Sequence, residues 1–235
     1  MRGVFISDLH LFSQRSVGQG HWESIAPRLF EAECVVLGGD IFDFRWSRLG
    51  SFEHSLSAAH SWLERAVDAN PNARWIYVMG NHDCQPEFGN RLEQMALRHH
   101  RFRWHPSHWR LGDHLFLHGD LLEGRGSPQE WSRFRRRFHE VTPRGALGNA
   151  LYRVAVGTRM HDWPARLRHR PERMCRSIVN RVGNWHPTLL DGLRHVVFGH
   201  THVPLSKWRH GSLDFHNAGS GIRHLEFNPI WFEIN

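Results

Sequence analysis

An α/β fold follows from three features of the sequence. The apolar runs Val4-Phe5-Ile6, Val35-Val36-Leu37 and Trp75–Met79 are each followed by a stretch of helical periodicity. The second, from Cys34 to Leu37, is a continuous apolar run, the pattern of a strand buried on both faces. Each run then ends abruptly on glycine or on a short polar side chain. Strands alternating with helices in this way imply right-handed parallel crossovers.

In chain order, residues 1–7 form the first strand, with a Gly/Ser/Gln-rich loop from Ser13 to Gly20 and a short helix over 21–31. Residues 34–37 form the second strand, and Gly38-Gly39 allows a tight turn after it. Phe52, Leu56, Ala59, Leu63 and Val67 recur at helical spacing, and Asn70-Pro71-Asn72 ends that helix. The third strand covers 75–79 and the next helix 88–97. From Phe102 the period changes, and 109–111 with 114–117 reads as a hairpin turned at Gly112-Asp113. Residues 121–190 show no convincing strand. They carry helical stretches at 129–141, 146–159 and 172–185, punctuated by Pro143, Pro164, Pro171 and Pro187. Strands resume at 195–198, 205–209 and 213–216, with a last hairpin turned at Asn228-Pro229. The whole, 1–235, reads as one domain carrying a basic helical insertion over about 121–190.

The 235 residues are enough to bury a substantial core, and 40% hydrophobic content fits a globular chain. No apolar run approaches the ~20 residues that span a bilayer. Val4-Phe5-Ile6 begins so early that no signal or transit segment is expected ahead of it. Cys34, Cys84 and Cys175 are scattered without metal-like spacing, as in a reduced cytoplasmic compartment. Net charge is +7 and Lys207 is the only lysine, so the basicity is arginine. It fits either a compositional bias or a surface that meets phosphate or anionic membrane.

The chemistry sits where the apolar runs end. Asp8-Leu9-His10 follows the first, Gly39-Asp40 with Asp43 the second, and Gly80-Asn81-His82-Asp83 the third. His118-Gly119-Asp120 and Gly199-His200-Thr201-His202 follow two more. Sites of open α/β sheets form beyond the carboxyl ends of strands. Singly, each Asp or Asn reads equally well as a cap or turn residue. Together, Asp, His and Asn without Cys suit divalent Mn, Fe or Zn. Seven ligands exceed one ion's needs but suit two ions sharing a carboxylate. Such a pair can clamp the attacking and leaving oxygens of a phosphoryl transfer.

In order and complete, Asp8-x-His10, Gly39-Asp40-x-x-Asp43, Gly80-Asn81-His82-Asp83, His118 and Gly199-His200-x-His202 resemble the pattern of calcineurin-like metallophosphoesterases. The resemblance implies an α/β/β/α sandwich with two metal ions at its rim, manganese foremost, with iron or zinc as alternatives. It implies that Asp8, His10 and His202 hold one ion, that Asn81, His118 and His200 hold the other, and that Asp40 bridges them. His82 would then be the catalytic histidine, with Asp83 orienting its ring, and Asp43 a partner of a ligand rather than a ligand itself.

His118-Gly119-Asp120 with Leu122, Trp131 and Phe134-Arg135-Arg136, followed by a helical insertion, is further similar to UDP-2,3-diacylglucosamine hydrolases. That likeness implies hydrolysis of UDP-2,3-diacylglucosamine to UMP and a diacylglucosamine 1-phosphate, at the cytoplasmic face of the membrane in lipid A synthesis. Arg133, Arg136 and Arg137 become candidate substrate contacts. The apolar positions Leu147, Leu151, Val154 and Ala155, with Met174, Ile178 and Val182, suit a cap that receives acyl chains. They suit equally well the packing of helices on one another. The best-known members of that group carry Arg where this chain has His82. Two other readings stand beside it, a nucleotide or nucleic-acid phosphodiesterase and a non-catalytic scaffold with this fold.

Overall fold

The structure, a computed structural model, describes residues 1–123, 126–139 and 170–234. The first sheet contains β1 (Arg2–Ile6), β2 (Cys34–Leu37), β3 (Arg74–Val78), β4 (Phe102–His105) and β10 (Ile230–Glu233). Its order is β10-β1-β2-β3-β4, parallel except for β10. The second contains β5 (His108–Leu111), β6 (His114–Leu117), β7 (His195–Phe198), β8 (Leu205–His210) and β9 (Leu213–Asn217), in the order β5-β6-β7-β9-β8. Its central strands β6, β7 and β9 run parallel. Helices α1 (Gly18–Ile25), α2 (Phe52–Ala69) and α3 (Pro86–Arg98) belong to the first half of the chain. Helices α4 (Pro128–His139) and α5 (Pro171–Trp185) lie between β6 and β7 in sequence.

The continuous apolar runs divide by parity. Val4, Ile6, Val35, Leu37, Trp75 and Tyr77 join one buried cluster with residues of α2 and α3. Their neighbours Phe5, Val36, Ile76 and Val78 join another with Phe116, Val197 and Ala218 of the second sheet. Leu115, Leu117, Val196 and Phe198, on the second sheet's other face, pack with Cys175, Ile178 and Val182 of α5. The result is helix, sheet, sheet, helix. Each fully buried large side chain contributes roughly 1.5–3 kcal/mol. Pro86 and Pro171 open α3 and α5 at the position where a missing N–H costs least.

One expectation needs correcting, and one pair of alternatives is narrowed. Asn228-Pro229 does not turn a terminal hairpin: the chain crosses to the first sheet, where β10 pairs antiparallel with β1. Of the two readings of Met174, Ile178 and Val182, the structure shows helix packing. All are buried, and Ile178 and Val182 lie on the second sheet, because a crossover between parallel strands must cover the sheet's outer face. The helix expected over 146–159, with Leu147, Leu151, Val154 and Ala155, lies outside the described residues. Among the described residues no helix is long and apolar enough to cross a membrane.

Candidate metal centre

The two sheets present the carboxyl ends of β1, β2, β3, β6 and β7 at one rim, and the candidate ligands follow those ends. Backbone conformation aims them. Asp8, His10, Asp40, His200 and His202 all have φ between 48° and 66°, a left-handed region that side chains other than glycine seldom enter. Five strained residues at one rim mark a place where geometry is held against local preference. Glycines supply the clearance: a Cβ on Gly199 would lie 2.1 Å from Asp8 Oδ2, and one on Gly80 2.2 Å from Asp40 Oδ1.

The side chains fall into two groups joined by one carboxylate. Asp8, His10 and His202 bring ligand atoms within 4.8 Å of one another, and so do Asp40, His118 and His200. In the first group His10 Nε2 lies 3.2 Å from His202 Nε2, and His202 Nε2 lies 3.3 Å from Asp8 Oδ1. In the second His118 Nε2 lies 3.3 Å from both Asp40 Oδ2 and Asn81 Oδ1. Asp40 Oδ2 is also 3.9 Å from His10 Nε2, which places this oxygen between the groups. Its other oxygen accepts from the His82 N–H at 2.7 Å. His118 Nδ1 donates to the Gly38 carbonyl at 3.0 Å, which turns Nε2 inward.

The donors fit two divalent ions. All are oxygen or imidazole nitrogen, and Asp8, His10, Asp40, Asn81 and His118 are almost fully buried. Burial pushes His10 down to about 4 and His202 below its ordinary value, so both rings are neutral, the ligating form. Burial opposes the His118 cation too, but Asp40 beside it prevails and lifts the ring to about 10. Burial likewise opposes ionisation of Asp8 and Asp40, and the neighbouring histidines outweigh it and hold both carboxyls low. A proton on His118 thus balances Asp40, in the position an ion would take.

His82 meets a different partner from the one expected. Its Nδ1 lies 2.9 Å from Asp43 Oδ1. Asp83 instead accepts from the Tyr77 hydroxyl at 2.6 Å and from the Gly80 and Ile41 N–H groups at 2.7 and 3.0 Å. Adjacency to His82 in sequence does not bring the carboxylate to its ring. Asp83 ties the third motif to the second, and burial followed by Asp40 raises it to about 7. Asp43 also accepts from the Trp46 N–H at 3.1 Å, and its Oδ2 is 3.7 Å from His10 Nδ1. It serves the rings of His10 and His82 together. Burial would lower His82, but Asp43 and Asp40 outweigh that and raise it.

Helix α4 borders the site with rings. Phe138 meets the His82 ring edge-on at 5.1 Å, and Phe134 meets His200 at 6.4 Å. Arg133, Arg136 and Arg137 on the same helix are exposed, and none contacts a ligand among the described residues. Between them Arg135 is buried: Nε and Nη2 donate to Asp120 at 2.6 and 3.0 Å, and Nη2 also to the Met79 carbonyl at 2.7 Å. That pair anchors α4 to the ends of β3 and β6. Glu123, passed over in the sequence, reaches His200 Nε2 at 3.3 Å. A lone carboxylate in a loop carries no signal that would have singled it out.

This set of candidate ligands around the Asp40 carboxylate, with His82 beside it, could with metal bound polarise a phosphoryl group and protonate a leaving oxygen. No curated protein matches the chain significantly. A family model, calcineurin-like phosphoesterase, matches residues 1–204. That match covers both sheets' rim motifs, and the chain belongs to the calcineurin-like phosphoesterases.

Proposed function

We propose that this chain hydrolyses a nucleotide-linked pyrophosphate, with UDP-2,3-diacylglucosamine as substrate and UMP and the diacylglucosamine 1-phosphate as products, in lipid A synthesis. Asp8, His10 and His202 would hold one ion, Asn81, His118 and His200 the other, and Asp40 both, with manganese as the metal. When bound, the ions supply positive charge to the phosphoryl oxygens. His82, its Nδ1 held by Asp43, keeps Nε2 for the substrate and its proton for the leaving oxygen.

The observation that carries the lipid reading is the pairing of Phe134 and Phe138 with the rings of His200 and His82. An apolar wall against His200 and His82, beside exposed Arg133, Arg136 and Arg137, suits a substrate with phosphates and acyl chains on neighbouring parts. The cap in this reading ends before α5, whose apolar face belongs to the sandwich. The same arginines would rest on anionic lipid, placing the enzyme at the cytoplasmic face of the inner membrane.

Metal-loaded protein given UDP-2,3-diacylglucosamine is expected to release UMP and to stop with chelator. Cleavage of simple phosphodiesters without UMP release would overturn the lipid reading. His82, standing where arginine is usual among the lipid hydrolases, favours a nucleotide or nucleic-acid phosphodiesterase as the second reading. Strand cleavage of a salt-sensitive nucleic-acid complex is its test.

A further inference from the structure

A second group of histidines lies at the opposite end of the second sheet. His114 opens β6 and His195 opens β7, whereas the rim residues follow the far ends of those strands. The two are register partners, and their rings stack with centroids 4.3 Å apart and planes at 29°. His216 of β9 comes next, its ring 5.6 Å from that of His195. By strand parity with Phe116 and Val197 these rings are on the face turned toward the first sheet, and His114 also touches Phe232 across the gap. Apolar residues make up the buried cluster of that layer, so buried polar rings at its end call for a reason.

Asp113, at the turn before β6, completes the group. Its carboxylate lies 2.7 Å from His114 Nδ1, and Asp113, His114 and His195 bring ligand atoms within 4.8 Å of one another. His114 is 5% exposed. His195 Nδ1 is buried and has no hydrogen-bond partner among the described residues, a loss of ~1–3 kcal/mol if nothing compensates it. The frame is fixed by backbone: the Asp113 carbonyl accepts from the N–H groups of Arg194 and His195 at 2.9 and 3.0 Å. Arg194 Nε is 4.0 Å from Asp113 Oδ2, but that side chain is exposed and competes weakly.

We propose that Asp113, His114 and His195 form a site for a divalent transition-metal ion of the zinc class, independent of the rim centre. Two imidazoles and a carboxylate suit zinc, nickel or copper far better than magnesium or calcium. His216 is the neighbouring imidazole, in reach of a rearranged ring. An ion here replaces the proton between Asp113 and His114, satisfies His195 Nδ1, and clips the β5–β6 turn to the start of β7. Its role is structural, and phosphohydrolysis does not depend on it.

Zinc content after chelator stripping, reloading with zinc and desalting tests this on the full chain. His195→Gln is expected to carry one ion fewer per chain than the wild type, with phosphodiester hydrolysis unchanged. It should also lose part of the zinc-dependent rise in melting temperature that Asp40→Asn keeps. Asp113→Asn, at a turn and sparing the buried rings, is expected to show the same one-ion loss if His195→Gln does not fold. Equal zinc in the wild type and both variants overturns the proposal. The reading is a difference between proteins, so an error about the rim ions shifts every count alike and leaves it intact.

Discussion

Two helices of similar composition follow β6, and they have opposite duties. Both α4 and α5 are arginine-rich and amphipathic, and both open on proline. Helix α5 turns Cys175, Ile178 and Val182 into the second sheet and closes the sandwich. Helix α4 buries Arg135 instead, and puts Phe134 beside His200 and Phe138 beside His82. An apolar stripe therefore says that a face is covered without saying by what. Buried Arg135 separates a helix that shapes the site from one that builds the fold.

The largest effect is expected at the carboxylate common to both ligand groups. Asp40→Asn keeps the shape and removes the charge that lies between His10 and His118. Phosphodiester hydrolysis should fall by on the order of 10³-fold or more, about 4 kcal/mol of barrier. Near-normal activity in that variant would show that the rim is not the reacting site. Next comes the anchor of α4. Asp120→Ala leaves the Arg135 cation buried without its partner, and should cost about 3–5 kcal/mol in denaturant unfolding. A cost as small as a surface change would mean that α4 is held by its phenylalanines.

Much of the rim was legible because ligand chemistry admits few residue types and strand ends place them. Asp8, His10, Asp40, Asn81, His118, His200 and His202 all follow apolar runs, and the sandwich brings those ends together. The partner of His82 was not legible. Asp83 is its neighbour in the chain, whereas Asp43 reaches it across 39 positions, a contact set by β2 and β3 lying side by side. The crossing of β10 is likewise a long-range pairing, and the Asn-Pro signal at 228–229 marks neither a hairpin nor a turn there. The five left-handed residues at the rim are invisible to propensity, since Asp and His there look like ordinary loop residues.

His82 and Asp43 give the third test. His82→Ala should lower kcat by about 10²-fold or more, the range of a lost general acid. Asp43 and Asp40 raise the ring above its ordinary value, so its protonated form persists to higher pH. If that form protonates the leaving oxygen, activity is lost as pH rises through the raised value. Asp43→Asn should therefore move the alkaline limb of the rate profile toward lower pH. A limb that stays in place would assign the proton elsewhere.

The smallest effect is expected at the exposed arginines of α4, and it sharpens the contrast with Arg135 most directly. Arg136→Ala changes a side chain in solvent one residue from the buried pair, so stability should stay within about 0.5 kcal/mol. If Arg136 meets substrate phosphate or lipid, KM for UDP-2,3-diacylglucosamine rises several-fold while kcat holds, because uniform binding is lost and the reacting groups are untouched. KM for a small phosphodiester, without the glycolipid part that Arg136 would meet, should not change. An equal rise for both substrates would move the arginine's influence to the rim itself. No rise for either would leave the arginines of α4 as surface charge, with Phe134 and Phe138 the only part of that helix turned to the chemistry.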